Sequence, residues 1–118
     1  MPATDEHTAA EHFENRAPEV EATYRVVLAA AKKLGPVREE AKKTSIHLVR
    51  KTAFAGVATR RNALILTLKA AADIPSHRIA KREQVSANRW HHEVRLERPE
   101  EVDAELLGWL RQAYELAG

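Results

Sequence analysis

The spacing of the apolar residues changes twice along this chain, and that change constrains the fold more than any other feature of the sequence. Between Pro18 and Leu34, the side chains of Val20, Tyr24, Val27, Leu28, Ala31 and Leu34 recur at helical spacing and form one stripe. From Ser45 to Glu97 the spacing falls to two. Ile46 and Leu48 share one face with His47 and Val49 on the other, and Trp90, His92, Val94 and Leu96 alternate with His91, Glu93, Arg95 and Glu97. Beyond Pro99 the helical period returns in Val102, Leu106, Trp109, Leu110 and Ala113, with Tyr114 at the edge of the stripe.

The ends of these segments carry matching chemistry. Pro18, Glu19 and Glu21 suit the start of a helix, Lys32 and Lys33 suit its end, and Gly35-Pro36 stops it. Pro99-Glu100-Glu101 opens the second helix with the same acidic start, although Arg98 is a poor N-cap. In the middle, Ser45 to Lys51 reads as a strand, followed by Phe54 to Ala58. Ala63 to Ala70 (ALILTLKA) is the strongest strand, Ile79 to Val85 the weakest, and Trp90 to Glu97 the last, with its even-numbered face buried. Short connections between strands and helices segregated to the ends favour an α+β domain, an antiparallel sheet of about four to five strands flanked by two long helices. Residues 1–12 are expected to be a flexible tail and 13–118 a single domain. Thr8 and Glu11, in capping-box spacing, allow a short helix from Thr8 to Arg16.

With 118 residues the chain suits one domain, and with no cysteine it can form neither disulfides nor a thiolate metal site. No apolar run approaches the roughly 18 residues a membrane span needs, and Met1 to His12 lacks the pattern of a signal peptide, so a cytoplasmic location and no membrane partner are expected. The net charge of +2 conceals a division: Lys42 to Arg98 holds thirteen Lys and Arg against four acids, and the remainder holds six against thirteen. The sheet is therefore basic and its helices acidic.

The string FENRAP from Phe13 to Pro18, the turn Leu34-Gly35-Pro36-Val37 and the strand pair TSIHLVRKTAFAGV from Thr44 to Val57 form an ordered series. RWHHEVRL from Arg89 to Leu96 and EEVDAELLGWLRQAYE from Glu100 to Glu115 complete it. Together, over about residues 12 to 118, they resemble a bacterial domain-of-unknown-function family, number fifty-six fifty-five. The resemblance implies a small α+β domain, found alone or beside other domains, some of which resemble nucleic-acid-processing systems. It implies no activity and no catalytic residue. Longer members carry a glycine-rich stretch before the last strand that Ser86 to Arg89 lacks.

Two sets of residues are candidates for a site. Lys51, Arg60, Arg61, Arg82 and Arg95 lie on or beside strands, where they could bind an anion or follow the phosphates of a nucleic acid, or else guard strand edges against aggregation. Aromatic residues for stacking bases are nearly absent from this face. The second set is the histidines. His91 and His92 are adjacent in a strand and point to opposite faces, and His7 and His12 are five residues apart, so no metal and no cofactor is expected. His92 shares a face with Trp90, Val94 and Leu96 and must find a hydrogen-bond partner in the core or line a pocket. His47 lies on the more polar face, where alternation also puts Thr67, Lys69, His91 and Arg95.

No nucleophile motif and no Gly-rich phosphate loop is present. The sequence therefore favours a non-catalytic binding or interaction module with a basic sheet surface. Its expected partners are a weakly bound nucleic acid or other polyanion, a protein, or a second copy of the chain. The alternative is a small enzyme or metabolite-binding domain with a site around His47, His91, His92 and Arg95.

Overall fold

A computed structural model describes residues 8–118; His7 and the first residues of the expected tail lie outside them. A 3-10 helix (Ala9–Phe13) leads into α1 (Pro18–Leu34), and six strands follow: β1 (Arg38–Ala41), β2 (Ile46–Val49), β3 (Ala53–Arg60), β4 (Ala63–Ala70), β5 (Ile79–Ser86) and β6 (Arg89–Leu96). A second 3-10 turn (Pro99–Glu101) precedes α2 (Ala104–Leu116). The strands form one sheet in the order β1-β2-β3-β4-β6-β5, every neighbouring pair antiparallel. The α+β class is thus as read from the sequence. No helix among the described residues is long and apolar enough to cross a membrane.

The period-two segments place one apolar row after another beneath the helices. Register aligns Ile46, Val57, Leu66 and Val94 across β2, β3, β4 and β6, and Leu64 beside Leu96. Val20, Tyr24, Val27 and Ala31 of α1 and Leu106, Leu110, Ala113 and Tyr114 of α2 cover these rows, all nearly or fully buried. Each large side chain removed from water there contributes about 1.5–3 kcal/mol, which is why amphipathic helices settle on this face and leave the other bare.

Six strands stand where four to five were expected, because β1 has no apolar alternation to announce it. Its Arg38-Glu39-Glu40 makes a charged edge strand, held by pairing with β2 and by the Tyr24 hydroxyl, which donates to Glu39. Burial and then the Glu39 carboxylate push that phenol well above its ordinary range. The second helix also starts later than Pro99 suggested. The 3-10 turn ends at Glu101, and Asp103 caps α2 by accepting the Leu106 N–H at 3.0 Å. At the other end of the chain, the Thr8 side chain makes no cap. Residues 9–13 are held instead by His12 Nε2, which donates to the Lys42 carbonyl at 2.8 Å, and by Thr59, whose hydroxyl donates to the His12 carbonyl at 2.8 Å.

The C-terminal ends of both helices meet at Tyr114. Gly35 follows α1 with φ of 151°, a conformation that favours glycine, and a Cβ there would collide with the Tyr114 hydroxyl. That hydroxyl donates to the Pro36 carbonyl at 3.1 Å. The last turn of α2 has no basic residue of its own, so the β2–β3 turn supplies the cap. Arg50 donates to the Tyr114 carbonyl at 3.1 Å with its guanidinium 4.3 Å from the ring centroid, and the Lys51 N–H donates to the Ala117 carbonyl at 3.2 Å. Gly35→Ala is expected to destabilise the protein by about 1–3 kcal/mol, from backbone strain and from displacement of Tyr114. Urea unfolding checks this: the midpoint falls with the slope unchanged, whereas an unshifted midpoint would show that Tyr114 does not fix the end of α1.

Candidate functional site

The face of the sheet opposite the helices is concave along β3, and the register explains the hollow. Leu48 pairs with Ala55 and Val49 with Ala53, so β3 carries one extra residue, Phe54, at a β-bulge. The bulge breaks the alternation: Phe54 and Ala55 are both buried, and Phe54 packs edge-on against Tyr114 in the helix layer at 5.2 Å between ring centroids. The next two positions on the open side of β3 are Gly56 and Ala58, so between Phe54 and Arg60 nothing larger than a methyl group rises from the strand. The result is a cavity of about 350 Å³.

Side chains from the neighbouring strands make its walls. His47 stands beside Gly56 from β2, with Ser45 Oγ 3.3 Å from its Nε2. Thr67 flanks Gly56 from β4, and Lys69, one pleat further along β4, is paired with His91 of β6. Lys69 is half-buried and donates to the Thr52 hydroxyl at 3.4 Å. No carboxylate lines the cavity, and none lies within ion-pair distance of Lys69 among the described residues. His47 and His91 are three strand spacings apart, roughly 14 Å, too far to share a metal ion.

His47 and His91 therefore meet in one cavity, as strand alternation suggested, while His92 lies on the other side of the sheet. It is fully buried, stacked on Trp90 at 5.8 Å, with Nε2 2.9 Å from Asp73 Oδ1. The Ile74 N–H also approaches Nε2, at 3.3 Å, but one nitrogen cannot donate to Asp73 and accept from Ile74 together. The shorter contact assigns the proton to Nε2, leaving Nδ1 buried without a partner. His92 thus anchors residues 71–78, which carry the chain from β4 to β5, and Arg82 reinforces the anchor by donating to Asp73 at 3.0 Å and to the Ile74 carbonyl at 3.1 Å.

The other candidate cations are dispersed. Lys51 lies in the β2–β3 turn and Arg60 and Arg61 in the β3–β4 region, separated by the length of β3, roughly 25 Å. Arg95 is on the open face but pairs with Glu97 at 3.0 Å. Ser45 and Gly56 were not singled out by the sequence reading. The run Phe54-Ala55-Gly56-Val57-Ala58 held a usable signal, because a glycine inside a strand marks a bulge or a close approach.

The model of a family described as a domain of unknown function (DUF5655) matches residues 9–117. The chain belongs to that family. The match runs from the first 3-10 helix to the last residue but one, so both helices and all six strands of this DUF5655 domain lie within it. No curated protein and no solved structure shows significant similarity. The chemistry of this DUF5655 domain is read from its geometry.

The His92–Asp73 anchor gives acid sensitivity of a defined sign. The hydrogen bond from His92, and after it Arg82, holds the Asp73 carboxyl below its ordinary range. Its contribution to stability is then fully present above the unfolded carboxylate pKa of about 3.9 and is lost as pH falls through the lower, folded value. Asp73→Asn should remove part of the stability at pH 7 and flatten the acid limb of the unfolding midpoint plotted against pH. Parallel acid limbs in the two proteins would exclude Asp73 as a source of that dependence.

Proposed function

We propose that this domain is a non-catalytic binding module whose open sheet face takes an anionic ligand beside Lys69 and His91. The observation that carries the reading is Lys69, a half-buried cation without a carboxylate partner among the described residues, in a cavity with no acidic lining residue. An ammonium beside a hollow without carboxylates attracts an anion, and its neighbours Thr67 and His91 can both donate hydrogen bonds. The other cations named from the sequence are dispersed, and Arg82 and Arg95 already have carboxylate partners. Neither Phe54 nor Trp90 is on the open face, so stacking of successive bases has no platform there. These features favour a small anion over a polynucleotide.

Binding is favoured over turnover for a similar reason. Ser45 and His47 are 3.3 Å apart, but Glu40, opposite His47 on β1, is engaged by Arg38 at 3.1 Å and Lys42 at 3.5 Å and does not orient the imidazole. In an NMR titration with inorganic phosphate and with acetate, saturable shifts are expected at the amides of Thr67, Lys69 and His91. Lys69→Gln should weaken binding by about tenfold or more, the loss of one charge-assisted hydrogen bond. Shifts confined to Lys51, Arg60 and Arg61 that disappear at high salt would overturn the reading in favour of diffuse surface attraction.

A further inference from the structure

We infer that the ligand of this face is a narrow organic anion, a carboxylate or phosphate head on an unbranched or flat body, lying lengthwise in the trough above β3. The inference rests on the anion reading and adds the body and its orientation.

Gly56 is the starting point. Among the described residues the only positive-φ glycine is Gly35, so backbone conformation does not demand glycine at 56. Nor does packing within the protein, because a Cβ there would sit 3.9 Å from His47 Cδ2 and 3.9 Å from Thr67 Cβ, ordinary van der Waals contact. A glycine in the interior of an eight-residue strand nevertheless weakens that strand relative to alanine or valine. The use that remains is the space itself, which admits something close to the backbone.

The two neighbouring positions act in the same sense. The bulge withdraws Phe54 to the helices, and Ala58 rises by only one methyl group. Three successive open-face positions thus leave a floor roughly 13 Å long, at 3.3 Å per residue. Its walls are β2 and β4, two strand spacings or roughly 9.5 Å apart between backbones, which admits one chain or one ring on edge and no bulky group. The ends differ chemically. Lys69 and His91 stand near the Phe54 end, while Ser45 and His47 stand beside Ala58 and Gly56 and offer a hydroxyl and an imidazole as hydrogen-bonding groups. An inorganic ion would use only the first end. A molecule with an anionic head and a slender body ending in a polar group would use the whole trough, and 350 Å³ falls within the range of small-molecule sites.

The test compares inorganic phosphate, acetate and hexanoate on the wild-type chain, Lys69→Gln and Gly56→Val, by NMR titration with thermal unfolding alongside. Hexanoate should bind the wild type more tightly than acetate. Gly56→Val should weaken hexanoate about tenfold or more and phosphate much less, and should remain folded, because a β-branched residue suits a strand and its Cβ would sit at ordinary contact distance from His47 and Thr67. Lys69→Gln should weaken all three anions. If Gly56→Val proves unfolded, Gly56→Ala serves in its place, with a smaller loss for hexanoate alone. Equal binding of hexanoate and acetate, or hexanoate binding untouched by substitution at Gly56, overturns the inference while the anion site at Lys69 stands. No binding of any of the three at Lys69 overturns both.

Discussion

Phe54 faces the helices although the alternation of β3 would send it to the open side, and both layers of the molecule depend on that inversion. One extra residue opposite the Leu48–Val49 step turns two consecutive side chains, Phe54 and Ala55, toward the core. Burying the phenyl group contributes about 1.5–3 kcal/mol, and its edge contact with Tyr114 adds about 0.5–1.5 kcal/mol. Tyr114, thus positioned, donates to Pro36, excludes any side chain at Gly35, and accepts Arg50 on its ring and carbonyl. The same displacement empties the opposite face above β3. Core and cavity are two consequences of one bulge.

Part of the charge division visible in the sequence is taken up by the fold. Arg78 enters the region between β5 and α2 and donates to Asp103, Glu105 and the Glu101 carbonyl at 2.8–3.1 Å, with its guanidinium 5.7 Å from the Trp109 ring centroid. Arg82 holds the crossover through Asp73, while Arg95 and Arg38 pair with Glu97 and Glu40 along their own strands. The basic sheet and acidic helices are thus stitched together at Arg78, while exposed pairs such as Arg95–Glu97 contribute little because water and salt screen them. A count of cations along the chain overstates what is free to bind. Lys69 differs because it lies half-buried in a cavity without a carboxylate.

What could be read from the sequence follows from the range of each interaction. The helical stripe of α1 and the alternation of β4 and β6 are local patterns and are found where their spacing places them. For the same reason His47, Thr67, Lys69 and His91 fall on one face and His92 on the other. β1 was illegible because Arg38-Glu39-Glu40 becomes a strand only by pairing with β2. The start of α2 was displaced because a 3-10 turn satisfied the Pro-Glu-Glu signal first and left Asp103 to cap the helix. The bulge escaped because periodicity assumes an even count of residues, and inserting one reverses the faces beyond it. Asp73, the partner of His92, lies 19 residues away in the crossover, and no local pattern links the two.

The protection of the sheet edges bears on how a partner can approach. β5 is an exposed edge strand of eight residues, with Val85 56% accessible, and would be an obvious template for another strand. It carries irregularities at Ile79–Lys81 and Gln84–Ser86 and the charged side chains of Lys81, Arg82 and Glu83, features that disfavour pairing with a regular strand. The opposite edge, β1, is only four residues long and bears Arg38, Glu39 and Glu40. Addition of a strand is thus discouraged at both edges, and one face is sealed by the helices. Of the two faces of the sheet, the open one carries the hollow above β3, whose walls rest on paired strands and whose floor is shaped by the bulge. On the proposed reading, a hollow whose floor and walls belong to paired strands would take an anion with little ordering of the protein.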